Sequence, residues 1–289
     1  MQVQRDMKRI IKTQRMIMYS KKGFRIAFSI MMAGQLLVYI SSVLFMKQCD
    51  RFLSVTPMAA FSLGIWGGYC SVFTFLMPFL AIFPFAFSYI SDVNVKETEL
   101  ILSRVDFRSY YFSKALVSFE GAFYCVLIPL LAGIILNAIT FSDGINGIGE
   151  AARYSLYEEK LLLGGSGFPF VGFFISHPLL YEAGWSVFCA LVCGLIAVFS
   201  LSCSLFIRRQ QIFLMLPFYV IITLIGQLPF GASEPGAKNY INKSFYEYLS
   251  VGYFNGRRYS VFFAFLLLIM VLSFVFLERK TKMVLEEGI

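Results

Sequence analysis

The chain has 289 residues, 58% of them hydrophobic and 15% charged, with a mean hydropathy of +0.72 and a formal net charge of +8. Soluble domains carry about 45–50% apolar and about 25% charged residues, so this composition cannot clothe a surface in water. It excludes a soluble enzyme, a disordered tail and a nucleic-acid-binding domain, and it makes lipid the solvent for most of the protein.

Residues 1–22 predict an interfacial helix. Val3, Met7, Ile10, Ile11 and Met18 recur near helical spacing, with Arg5, Lys8, Arg9, Lys12 and Arg15 between them. That pattern suits a helix lying on the inner leaflet, apolar face in the acyl chains and cations toward anionic headgroups. Uncharged runs long enough to cross about 30 Å of hydrocarbon then follow at about 24–46, 64–90, 115–139, 183–207, 210–228 and 260–277. Only helices or closed barrels satisfy their backbone in lipid, and these runs are too long and too evenly apolar for barrel strands. The expected fold class is an all-α integral membrane protein of one domain, residues 1–289, with six spans. Run 24–46 is too long for a secretory signal core and ends in Lys47-Gln48-Cys49-Asp50, so it is expected to remain as a span.

With both termini in the cytoplasm, inner segments hold 17 Lys and Arg and outer segments 8, a positive-inside distribution. The basic balance is therefore a topology signal. Segment 91–114 becomes the longest inner loop, while 140–182 and 229–259 become outer loops. Within the inner loop, Glu97 and Glu99 near a helix start and Arg104 near its end complement a helix dipole. Leu100, Ile101 and Leu102 give that short helix an apolar face which its own loop cannot bury, so a second surface is implied.

Groups for catalysis are sparse. His177 is the sole histidine. Phe173, His177 and the Glu158-Glu159 pair invite comparison with intramembrane proteases, but the required Arg and second His are missing. Gly164-Gly165-Ser166-Gly167 lacks the lysine of a phosphate-binding loop and reads as a flexible loop. Five of the six cysteines, all but Cys49, lie in apolar runs without a disulfide or zinc pattern, and they read as small packing residues. The chain is thus expected to be no enzyme and to bind no cofactor of its own. Glu120 is the one ionisable residue read inside a span, about 9 Å beyond Lys114 at 1.5 Å per residue. It either reaches the inner interface, accepts hydrogen bonds from a group such as Gln35 or Ser88, or takes part in coupling.

Six spans, inner termini, a basic N-terminal helix and a long second inner loop resemble the permease subunit of ABC-2-type exporters. The sharpest match is Glu99-Leu100-Ile101-Leu102-Ser103, followed by Arg108, Tyr110-Tyr111 and Lys114-Ala115-Leu116. This is similar to the family's run of an acidic residue and leucines leading through Ser to Arg, an aromatic and Lys. The family's Pro after Ser and Gly before Lys are replaced here by Arg104 and Ser113. The motif spans about 96–116, and the architectural likeness spans nearly the whole chain.

The resemblance implies that Glu97, Glu99, Leu100, Ile101, Leu102 and Arg104 form a coupling helix docked on a separate ABC ATPase subunit, with ATP and Mg on that partner. It implies an elbow role for the N-terminal helix, two ATPases, and a second permease copy or homologue. It also implies export from a plasma membrane, in a setting expected to be bacterial. Phe75, Phe79, Phe83, Glu120 and Phe218 are candidates for the translocation path. A path lined by such aromatics suits an amphiphilic or hydrophobic cargo: an antimicrobial-type peptide, a lipid-like molecule or a drug. Membrane lipids are expected partners and nucleic acid is not. Two other readings stay open, an ion-gradient-driven carrier using Glu120 and a non-transporting sensor or scaffold.

Overall fold

The computed structural model describes residues 2–48, 61, 63, 68–94, 101, 106–141, 170, 173, 177–206, 214, 216–227, 245–250 and 259–286. Among them are nine helices: α1 Gln2–Ser20, α2 Lys22–Gln48, α3 Gly68–Ile82, α4 Ser88–Asn94, α5 Phe107–Thr140, α6 Pro178–Cys203, α7 Leu216–Gln227, α8 Phe245–Leu249 and α9 Tyr259–Glu286. No strand occurs among the described residues. Among the described residues, four stretches are long and apolar enough to cross a membrane: Lys22–Phe45, Phe107–Thr140, Leu179–Cys203 and Tyr259–Met283.

The other two expected spans are described in part. The run at 64–90 is interrupted: α3 stops at Ile82, a turn occupies Phe83–Phe87, and α4 resumes at Ser88. Pro84 supplies no backbone N–H and disfavours helical geometry at Phe83. Turn bonds take over, from Phe83 N–H to the Leu80 carbonyl at 3.3 Å and from Ser88 N–H to the Phe85 carbonyl at 2.9 Å. Within the run at 210–228, the described helix α7 covers Leu216–Gln227, and residues 210–213, 215 and 228 lie outside the described ones.

Several boundaries move. The helix expected at 115–139 starts at Phe107, so the last turns of the expected inner loop are helical. Asp106 caps it, its carboxylate accepting from the N–H groups of Arg108 and Ser109 at 3.1 and 3.4 Å. The helix expected at 183–207 runs from Pro178 to Cys203, with proline in the first turn where its missing N–H costs nothing. It therefore includes Glu182, which the sequence reading left in the outer loop. The last helix continues from its expected end at 277 to Glu286.

Helices α5 and α6 form the centre. Their spanning stretches are the most buried of the four, 44% and 72%, whereas α2 and α9 are each 22% buried and lie at the periphery. Small residues allow the central pair to approach: a Cβ on Gly194 of α6 would lie 2.6 Å from the Phe119 ring of α5. Tyr111 of α5 donates to the Ser202 hydroxyl of α6 at 2.7 Å, and Ser202 donates to the Val198 carbonyl at 3.0 Å. Cys125, Cys189, Cys193 and Cys203 are free and buried, in keeping with a packing role.

Part of the apolar stripe of α1 packs on the protein. Met18 is fully buried with Phe85 and Val117, and Ile11 packs on the same cluster. Gly121 of α5 leaves the space that the Met18 sulfur and the Pro84 ring occupy. Met16, Ile17 and Tyr19 are the large apolar residues exposed on α1. That part of the stripe prefers the protein because α5 offers a complementary notch there.

Candidate functional site

Polar contacts gather around the first half of α5. Lys114, at 1% exposure, places its ammonium 2.8 Å from Asp92 Oδ2 at the end of α4. Tyr110 donates its hydroxyl to the same oxygen at 2.6 Å. The Lys114 ammonium also lies over the Phe85 and Tyr110 rings, 5.2 and 5.1 Å from their centroids. A buried ammonium is costly unless it is paired and hydrogen-bonded, and this one meets a carboxylate and two aromatic faces.

This cluster brackets the loop of the family-like motif. Asp92 ends the chain before it, and Tyr110 and Lys114 stand on the helix after it. The buried pair therefore joins both roots of the loop, so that force applied to the loop moves α4 and α5 together. Within the loop Ile101 is described; it is half-buried and packs against the main core rather than standing clear of the protein. Glu97, Glu99, Leu100, Leu102 and Arg104 lie outside the described residues, as do Arg208, Arg209, Glu158 and Glu159.

Two further ion pairs tie distant segments to α5. Arg15 of α1 forms a bidentate pair with Glu120, Nε to Oε2 at 2.6 Å and Nη2 to Oε1 at 2.5 Å. Of the alternatives for Glu120, Gln35 and Ser88 are not its partners in any described hydrogen bond; its carboxylate turns to Arg15 on the N-terminal helix. Gln35 instead lies against Gly133 of α5, whose missing side chain makes room for its amide. Arg108 pairs with Glu278 of α9 at 2.6 Å.

The candidate path residues divide. Phe79 stacks on Tyr219 of α7 with centroids 3.6 Å apart and planes at 13°. Phe75 lies 6.3 Å from Tyr219 and 5.0 Å from Tyr246 of α8, and Phe218 contacts both Tyr219 and Phe245 edge-on. Tyr219 thus gathers Phe75, Phe79 and Phe218 into one aromatic cluster. Phe83 contacts Phe87 in the turn after α3, and Glu120 faces α1. Neither joins that cluster through any described contact.

Sequence reasoning missed the Asp92–Lys114 and Arg108–Glu278 pairs. Their signal was present: Asp92 and Lys114 close the apolar runs on either side of one loop, and charges at such borders call for partners. It missed Glu182 too, because that residue adjoins an apolar run from outside. No family model, no curated protein and no solved structure matches this chain.

Proposed function

We propose that the chain is the transmembrane permease subunit of an ATP-driven exporter of the ABC-2 type, moving an amphiphilic or hydrophobic cargo out of the cell. The reading rests on the motif at 96–116, the positive-inside charge distribution and the absence of a nucleotide motif in the sequence. The observation that carries it is the buried Asp92–Lys114–Tyr110 cluster. It makes the two roots of the motif loop one mechanical unit, as a lever requires.

In this reading both termini are cytoplasmic and six segments cross, the broken α3–α4 unit and α7 completing the four long helices. Closure of two ATPases on two permeases draws the loops together, and α4 and α5 tilt as a body. The turn at Phe83–Phe87 is the hinge between that body and α3. Pairing with Arg15 favours a latch role for Glu120 over proton carriage. ATP and Mg act on the partner, and the host membrane is a bacterial plasma membrane.

The test is purification of the chain from its native membrane, with an ABC ATPase subunit expected to co-purify. Glu99→Lys combined with Leu100→Asp should abolish the association. Lys114→Met should leave association intact while uncoupling ATP hydrolysis from cargo. If the double variant still holds the ATPase, the docking assignment is wrong.

A further inference from the structure

Glu182, in the second turn of α6, is fully buried, and neither carboxylate oxygen has a hydrogen-bond partner among the described residues. The donors nearest along the helix are engaged elsewhere. Ser186 donates to the backbone carbonyl of Glu182 at 2.8 Å, and Trp185 Nε1 and Cys189 Sγ both donate to the Leu249 carbonyl, at 2.9 and 3.3 Å. The cations seen in ion pairs are likewise committed: Arg15 to Glu120, Arg108 to Glu278 and Lys114 to Asp92.

An ionised carboxylate in such a place is strongly disfavoured. It is tolerated when neutral or when it meets a positive charge, and ionisable groups within spans mark ligand and ion paths. Aromatic rings gather at the same end of α6. Tyr181 stacks on Trp185 at 5.9 Å, Tyr259 meets Trp185 edge-on at 6.2 Å, and Tyr248 meets Tyr259 at 5.5 Å. Tyr181 precedes Glu182 and Trp185 follows it by three residues on the helix, and a carboxylate with aromatic rings for neighbours suits an organic cation with an apolar body. A metal ion is less suited, since no cluster of His, Cys, Asp and Glu able to hold one occurs among the described residues.

We propose that Glu182, with the rings of Tyr181 and Trp185, binds the cationic group of an amphiphilic organic cation. With the site empty the carboxyl is protonated. When the cation enters, the O–H bond breaks, one proton leaves to solvent, and the carboxylate stays paired with the bound charge. Glu182 and Ser202 are 20 residues apart on one helix, about 30 Å, so this site lies at the far end of α6 from the Tyr111–Ser202 contact. Taken with the exporter reading, on which the assignment to cargo rests, it narrows the cargo to cationic amphiphiles.

The described titratable groups at this end of α6 and of the elements packed there, besides Tyr181, are Cys189 and Cys193 of α6, Tyr124 and Cys125 of α5, Tyr219 of α7, Tyr246 and Tyr248 of α8 and Tyr259 of α9. The cations of α5 and α9 (Arg108, Lys114, Arg279, Lys280 and Lys282) lie toward the opposite end of α6, where Tyr111 meets Ser202 and Phe276 meets Phe199 and Phe206, so proton release on binding is assigned to Glu182.

The test uses the full chain in lipid nanodiscs without any ATPase. The protein has two tryptophans, so Trp66→Phe leaves Trp185 as the reporter beside the site. Titration with tetraphenylphosphonium should change Trp185 emission saturably and release one proton per cation in weak buffer. Tetraphenylborate, matched in size and opposite in charge, should do neither. Glu182→Gln should weaken phosphonium binding by about thirtyfold or more and abolish proton release, while Glu182→Asp retains both in weaker form. Equal binding by wild type and Glu182→Gln, equal binding of the borate, or no binding of the phosphonium overturns the proposal. Because no ATPase is present, these outcomes are independent of whether the chain associates with one.

Discussion

Arg15 and Glu120 are 105 residues apart and meet in a bidentate ion pair, with the guanidinium half-exposed and the carboxylate largely covered. The pair stands next to the notch where Met18 sits over Gly121, so charge and shape hold α1 to α5 at one place. The carboxylate raises the Arg15 pKa above its ordinary value through hydrogen bonding and Coulomb attraction. A raised cation pKa contributes below the unfolded value and is lost only as pH rises through the folded one. The Arg15 side of the latch therefore stays charged through the neutral and mildly alkaline range.

Charge exchange tests that latch. Arg15→Glu or Glu120→Arg alone should free α1, read as faster proteolysis at Lys12 and Lys21. The double exchange should restore most of the protection. Bidentate geometry raises such a pair toward the upper end of the roughly 0.2–1 kcal/mol seen for exposed pairs. Equal protection in all three variants would show that Met18 packing alone holds the helix.

Asp92→Asn or Lys114→Met leaves a buried charge without its partner. Each should lower stability by about 3–5 kcal/mol, seen as a lower thermal midpoint in detergent. Combining Asp92→Leu with Lys114→Met should recover much of that loss, since two apolar groups leave no stranded charge. Tyr110→Phe removes one hydrogen bond to a charged acceptor and should cost about 1.5–3 kcal/mol.

Arg108 and Glu278 make a pair of similar length, yet their side chains are 61% and 30% exposed. Water screens them. Glu278→Gln should change stability by less than about 1 kcal/mol. A larger shift in the thermal midpoint would mean that α9 depends on this contact far more than its exposure suggests.

Gly194 lies so close to Phe119 that a single added carbon meets the ring at 2.6 Å. Gly194→Val should force α5 and α6 apart and cost about 1–3 kcal/mol or more. Adding Phe119→Leu should recover part of that loss by shrinking the opposing side chain. Gly184, with nothing within 4 Å of an added Cβ, is the control: Gly184→Ala should be neutral or slightly stabilising, because alanine favours helix. Thermal midpoints of the three variants against the wild type decide.

Individual residues show how much was legible. The run at 115–139 announced its helix by length and hydropathy, because every backbone group in lipid must bond within its own segment. Its true start at Phe107 depended on the Asp106 cap and on Tyr110 and Lys114 finding partners. Pro84 sat in the sequence as one proline among several, and Pro78 and Pro129 stay inside helices. Of these three, Pro84 alone lies in a turn, against the Met18 cluster. Of the path candidates, Phe75, Phe79 and Phe218 meet at Tyr219, a residue that no spacing rule singles out.

Composition determined the solvent, since 58% apolar residues can be hidden only in lipid, and the length of the apolar runs determined the helical class by excluding barrel strands. Tertiary structure decided which charges meet: Arg15 with Glu120, Lys114 with Asp92, and Glu182 with no described partner. Hydropathy is a property of each residue and is summed along the chain. Ion pairing depends on distances between helices, which exist only once they pack.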